Sequence, residues 1–239
     1  MKKLLGFAIV VSLISCQKSG LDYLATPITP NTGGGGGTTP VFVWPAGTGE
    51  FAPYTTGSTF VFQREVGAPA VIDSFTLTIT GDTMIAGQTY KRVISSNTTA
   101  SPNYFVNYNA GVVTEVIYNF SLQTVTIPTL TQTVLKDTAN VSTSWNEILN
   151  LTVSGFTFPV TFTYTVMQKN IVKNVLGVDY PNTFDIKQNV GIPAQIAQIA
   201  NIPANTVVQN FYAKGVGRVA REALTTNTFL KLKRYNVVR

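Results

Sequence analysis

Apolar and polar residues alternate through most of the chain from Ser58 onward, with the two-residue period of strands that bury one face. Asp73 to Thr80, DSFTLTIT, shows it best: Phe75, Leu77 and Ile79 fall on one side, Thr76, Thr78 and Thr80 on the other. Ser58 to Val66 alternates Phe60 and Phe62 with polar neighbours before Gly67-Ala68-Pro69 turns it, and Gly81-Asp82 reads as the next turn. The longest run is Phe156 to Gln168, with Phe158, Val160, Phe162, Tyr164 and Val166 facing one way and threonines the other. At about 3.3 Å per residue it would outrun its neighbours, which predicts a bend. Pro159 within it predicts a bulge or an edge. Asn109-Ala110-Gly111 between Asn103–Tyr108 and Val112–Phe120 predicts a hairpin. Spacing of 8 to 12 residues gives about fourteen short strands in all, including one bent strand or two over Ser142 to Val153, with Val41 to Trp44 either a first short strand or a capping segment.

One stretch breaks the period. In Ile192 to Ile202, the residues Ile196, Ile199 and Ala200 recur at helical spacing between Pro193 and Pro203, which predicts one short helix near 193–202. A lone helix among strands plugs a barrel end or lies over an open sheet face, and as a mobile element it would be a lid. The fold class that follows is mainly β, an antiparallel sheet folded as a sandwich or an incomplete barrel. A membrane-spanning barrel is disfavoured by the lack of regular aromatic girdles.

Composition strengthens the β reading. Only 12% of the 239 residues are charged and 11% are aromatic, and threonine, valine, tyrosine and phenylalanine suit half-buried pleated surfaces. Upstream of the strands, residues 16–40 hold Pro27, Pro30, Pro40 and the five glycines Gly33 to Gly37, a composition that cannot bury enough surface to order itself. As a tether it would span about 25 to 30 Å on average. Five bare glycines without a following Lys-Ser/Thr do not make a phosphate cradle.

The first residues have another logic. Lys2 and Lys3 precede an apolar run from Leu4 to Leu13, too short to span a bilayer, which needs roughly 20 residues. A basic start, a short apolar stretch and a small residue describe a signal peptide over 1–15. Leu13-Ile14-Ser15-Cys16 resembles the lipobox of bacterial lipoproteins, with a branched apolar residue three places before the cysteine and a small residue directly before it. The resemblance implies diacylglycerol on Cys16, cleavage between Ser15 and Cys16, and acylation of the new amino terminus. Two acyl chains already anchor stably, so three would be effectively permanent. In that family an aspartate after the cysteine favours the inner membrane; Gln17 stands here, which points to the outer membrane, facing the periplasm. Cys16 is the chain's single cysteine, so no intrachain disulfide competes for it.

Phe211 to Glu222, FYAKGVGRVARE, together with Gly57 to Phe62, resembles a recurring segment of Gram-negative lipoproteins, in which an aromatic-Ala-Lys/Pro-Gly-Val-Gly turn joins two strands. That resemblance implies a β-rich surface domain over 41–239 and no activity.

Charge and chemistry narrow the function. Net charge is +6, with much of the excess at Lys214, Arg218, Arg221, Lys231, Lys233, Arg234 and Arg239. Such an end reads as a solvated face whose lysines protect sheet edges, or as a contact for anionic lipid or envelope glycan. No nucleic-acid module accompanies it. Histidine is absent, which removes the commonest general base and metal ligand, and the lone cysteine is assigned to lipid. No catalytic residue, metal site or cofactor is therefore expected. Paired carboxylates are the one enzymatic route left, Asp179 with Asp185 or Asp137 with Glu147, as a glycosidase would need them. The cluster Tyr104, Phe105, Tyr108, Tyr118 and Phe120 would bind sugar or peptide from an outer face, or form core from an inner one. The leading expectation is a non-enzymatic binding or structural lipoprotein of the envelope. A carrier of lipid or another apolar ligand in a half-closed sheet is the alternative, and a carbohydrate-active enzyme the second.

Overall fold

The computed structural model describes residues 51–122, 125–153, 156–200 and 203–238. The lipobox, the tether and the strand or capping segment expected at Val41 to Trp44 lie outside these residues. Twelve strands follow in order: β1 Thr59–Val66, β2 Val71–Ile85, β3 Gln88–Ser95, β4 Tyr104–Asn109, β5 Val112–Leu122, β6 Val125–Lys136, β7 Ser144–Val153, β8 Phe156–Val175, β9 Val178–Gly191, β10 Asn205–Ala213, β11 Gly217–Ala223 and β12 Thr228–Asn236. Each pairs antiparallel with its neighbour in sequence, except at one place, and β1 also pairs with β12. The sheet thus runs β6-β5-β4-β3-β2-β1-β12-β11-β10-β9-β8-β7. Joining first strand to last curls the sheet into a barrel that lacks a backbone ladder only between β6 and β7. Of the two expected architectures, this is the incomplete barrel.

Among the described residues the strands are fewer and longer than expected, because several expected breaks are bulges or bends inside longer strands. Gly81 does not end β2; it sits with φ +147° where the register with β3 shifts, and Asp82 to Ile85 continue to pair. The run expected over Phe156 to Gln168 does not stop there but continues to Val175 as one strand, β8, and three register shifts against β9 supply its predicted bend. Pro159 falls before the first β9 partner, Thr161, so β8 is flanked on one side only where the proline lies. The hairpin at Ala110-Gly111 forms as expected, with φ +48° and +85° at its two central residues.

Inside, the predicted alternation holds. Phe60 and Phe62 of β1 face Leu77 and Phe75 of β2 across the ladder, and the Phe62 and Phe75 rings stack with centroids 5.7 Å apart. Val160, Phe162, Tyr164 and Val166 are buried on the inner side of β8. The outer face carries ion pairs such as Lys231 to Glu65 at 2.7 Å. The inner face of the strands is mostly apolar, whereas the interior of a membrane-spanning barrel is polar.

The seam is held by side chains. The Trp145 indole Nε1 of β7 donates to the Thr133 carbonyl of β6 at 2.7 Å, and the Thr133 amide donates to Glu147 Oε1 at 3.4 Å. The connection between the two strands is pinned from both flanks: the Tyr108 hydroxyl donates to Asp137 Oδ2 at 3.0 Å, and Lys169 Nζ donates to the Ala139 carbonyl at 2.9 Å.

One end of the barrel is plugged by residues 51–54. Phe51 meets Phe184 edge to face at 4.8 Å, and Tyr54 meets Phe60 in the same way at 5.8 Å. Gly217, with φ +91°, admits the Tyr54 hydroxyl so closely that a Cβ there would lie 3.3 Å from it. At the opposite end runs the helix, α1 Ala194–Ala200, within the expected 193–202.

Candidate functional site

Between the aromatic plug and the α1 end, the barrel encloses a cavity of about 210 Å³. Its wall toward the α1 end is apolar, formed among others by Ile117, Leu130, Leu149, Leu151, Val160 and Val190. Ile192 and Pro203, which flank α1, line it, as do Ala100 and Pro102 from the β3–β4 connection. The helix thus stands where the chain reaches the cavity's edge, the position in which either a plug or a lid was expected.

Deeper in, the lining becomes polar, and two hydrogen-bonded groups account for much of it. Tyr164 donates to Gln132 Oε1, while Gln188 Nε2 donates to the Tyr164 hydroxyl at 3.0 Å. Burial pushes the Tyr164 phenol well above its ordinary value, so it remains a neutral donor. Arg218 Nη2 donates to Glu115 Oε1 at 2.6 Å and to the Tyr212 hydroxyl at 3.0 Å. Burial alone would lower the Arg218 guanidinium, but the adjacent Glu115 carboxylate, together with Tyr212, Tyr104 and Tyr54 around it, offsets this and holds it well above its usual range.

A second cationic region is built differently. Arg64 of β1, Leu230 of β12, Arg221 of β11 and Asn210 of β10 are consecutive partners across the sheet, so they form one row. All four line the cavity. Arg64 Nε donates to Asp73 Oδ1 at 2.9 Å, and its Nη1 is buried without a partner. Arg221 and Asn210 make no side-chain hydrogen bond or ion pair among the described residues. The row carries three arginines, counting Arg218 below it, against the carboxylates of Asp73 and Glu115.

The inward aim of both Arg218 and Arg221 corrects the expectation that the basic C-terminal residues form a solvated face. Three residues apart, they would point to opposite sides of a regular strand. The β10–β11 register passes from Phe211 opposite Ala220 to Tyr212 opposite Arg218, which leaves Val219 as an extra residue. This bulge reverses the alternation and brings both arginines inside. Lys231, Lys233 and Arg234 do lie on the outer side or at exposed positions, as expected.

The other candidate residues are dispersed. Asp179 accepts from Asn174 Nδ2 at 2.6 Å in the exposed β8–β9 hairpin, whereas Asp185 is buried against Lys173 and Glu222 and is raised by desolvation. Asp137 and Glu147 are occupied at the seam. None of the four lines the cavity. No group of three or more histidine, cysteine, aspartate or glutamate side chains arranged to hold a metal occurs among the described residues. Of the aromatic cluster, Tyr104 is inside and lines the cavity, whereas Phe105 and Tyr118 meet edge to face at 5.5 Å, with Tyr118 exposed.

Arg64, Glu115 and Gln188 were not among the sequence candidates, although each carries a signal. Arg64 continues the inward series Phe60, Phe62; Glu115 lies between Val113 and Ile117; and Gln188 follows Phe184 and Ile186. A charge or amide at the inward beat of a strand marks a polar cavity or a buried pair.

Fold and site together define a class: an up-and-down, nearly closed β-barrel with an internal cavity that is apolar at one end and cationic at depth. No protein-family model and no curated protein matches the chain. Two crystal structures do. One is described as an exported protein with a YmcC-like fold from Bacteroides fragilis, with 8% identity over 77% of this chain and 97% of that one and a TM-score of 0.41. The other is described as a lipoprotein from Parabacteroides distasonis, with 9% identity, coverage of 78% and 98%, and a TM-score of 0.42.

Proposed function

We propose that this protein is a lipoprotein held in the outer membrane through Cys16, periplasm-facing, whose barrel binds a small amphipathic molecule without chemically changing it. The observation that carries the binding reading is the cavity. A barrel interior filled only for stability would be packed like the rest of the core, with few voids larger than a water. Here about 210 Å³ is left open, many times what a single buried water needs. Pockets for drug-sized ligands start near 300 Å³. The cavity therefore suits a single short chain, or one end of a longer one, and not a whole diacyl lipid. The anchor and the tether rest on the sequence: Leu13-Ile14-Ser15-Cys16 and the glycine-rich stretch behind it.

The binding reading is tested by extracting the purified full-length protein with organic solvent and comparing it with a Val208→Trp variant. Val208 lines the cavity and is buried, so the larger side chain fills the space. We expect a defined small amphiphile in near-stoichiometric amount from the wild type and none from the variant. No ligand from either, or the same ligand from both, would contradict the proposal. For the anchor, Cys16→Ser should abolish incorporation of labelled palmitate; undiminished labelling would place any acyl group elsewhere.

A further inference from the structure

We infer that the ligand's polar end is an anion, a carboxylate or phosphate monoester, received by Arg221 and Asn210. The inference rests on the binding reading above and names the chemistry of its deep end. Arg221 and Asn210 are direct cross-strand partners on β11 and β10, so their side chains lie side by side on the inner face. Asn210 is buried and Arg221 retains only partial exposure; both line the cavity. Every other charged group facing this region has a counterion: Arg64 has Asp73, and Arg218 has Glu115. One guanidinium and one amide thus line the cavity side by side with no side-chain partner among the described residues.

An unpaired interior cation is costly unless something completes it. Burial, and after it the like charge of Arg218, lowers the Arg221 guanidinium from its usual value, and the Glu115 carboxylate that pairs with Arg218 only partly offsets this. Guanidinium donors form a planar fork that fits two oxygens of one carboxylate or phosphate, and an amide NH₂ beside it adds a third donor. The apolar wall above, from Val208 and Leu230 upward, takes the alkyl part. The bulge at Val219 belongs to the same arrangement, since without it Arg221 and Arg218 could not both face inward.

The test uses the full chain synthesised without membranes, so that Cys16 carries no lipid, titrated calorimetrically at pH 8 with octanoate, octyl phosphate and 1-octanol. These share a tail and differ in the head. At least one anion should bind ten-fold or more tightly than octanol, and the octanoate-to-phosphate ratio identifies the head. Arg221→Gln should bring the anions to the affinity of octanol while leaving octanol unchanged, whereas Arg221→Lys should keep part of the preference. Octanol binding as well as both anions, or an undiminished preference in Arg221→Gln, overturns the inference and leaves the binding reading intact. If no probe binds the wild type, the binding reading fails and this inference with it. Should Arg221→Gln not fold, Asn210→Leu replaces it: several-fold weaker anion binding at unchanged octanol affinity is expected, and no change overturns the assignment.

Discussion

Glu115→Gln should destabilise the protein by about 3 kcal/mol or more, read as a shift of the chemical-denaturation midpoint at unchanged slope. The substitution nearly preserves volume but removes the one carboxylate that neutralises Arg218. That guanidinium is then left in the barrel interior beside Arg221, with only the Tyr212 and amide dipoles to face it. Losing one partner of a buried pair costs more than the pair was worth, because the survivor stays desolvated. The double variant Glu115→Gln with Arg218→Met should therefore recover most of the loss. A single variant within about 0.5 kcal/mol of wild type, the ordinary range for surface changes, would mean that water reaches the pair freely.

The second large effect lies at the seam. Trp145→Ala should cost about 3 kcal/mol, the sum of a lost large side chain, a lost aromatic stack and a lost hydrogen bond. Its ring stacks on Tyr164 at 5.5 Å and 10°, Lys136 Nζ sits 5.2 Å from its centroid, and its indole N–H reaches across to Thr133. β6 and β7 have no backbone ladder to fall back on, so the seam should open locally. Amide exchange should accelerate in β6 around Thr133, and less in strands far from the seam, such as β1. Trp145→Phe, which keeps the stack, should lose only about 1 kcal/mol. Uniform acceleration across all strands would instead show that the seam has no separate stability.

What the sequence could say about this fold was local. The inward sets of β2 and β8, the hairpin at Ala110-Gly111 and the short helix follow from periodicity and turn chemistry within a dozen residues. Closure does not, because it rests on Thr59 to Val66 pairing with Thr228 to Asn236, more than 160 residues away, and nothing in either strand marks the other as its partner. The same holds for the site. Arg64, Arg221 and Asn210 come from three separate strands and share a row only once the barrel is closed. A strict two-residue period also misassigns Arg221, because a bulge of a single residue at Val219 reverses every orientation beyond it. The inward beat of Arg64 and Glu115 was readable, as charges at core positions of otherwise apolar strands. Their pairing with Asp73 and Arg218 was less so: Asp73 is one hairpin away, whereas Arg218 arrives from the other half of the sheet.

The central claim is that the open interior is a binding site and not a packing defect. A crystal structure of the protein purified from its own membranes tests it most directly. One continuous elongated feature is expected in the cavity, its alkyl part against Val208 and Leu230 and its polar end within about 3 Å of Arg221. Separate water positions around the arginines, with the apolar wall collapsed inward, would contradict it.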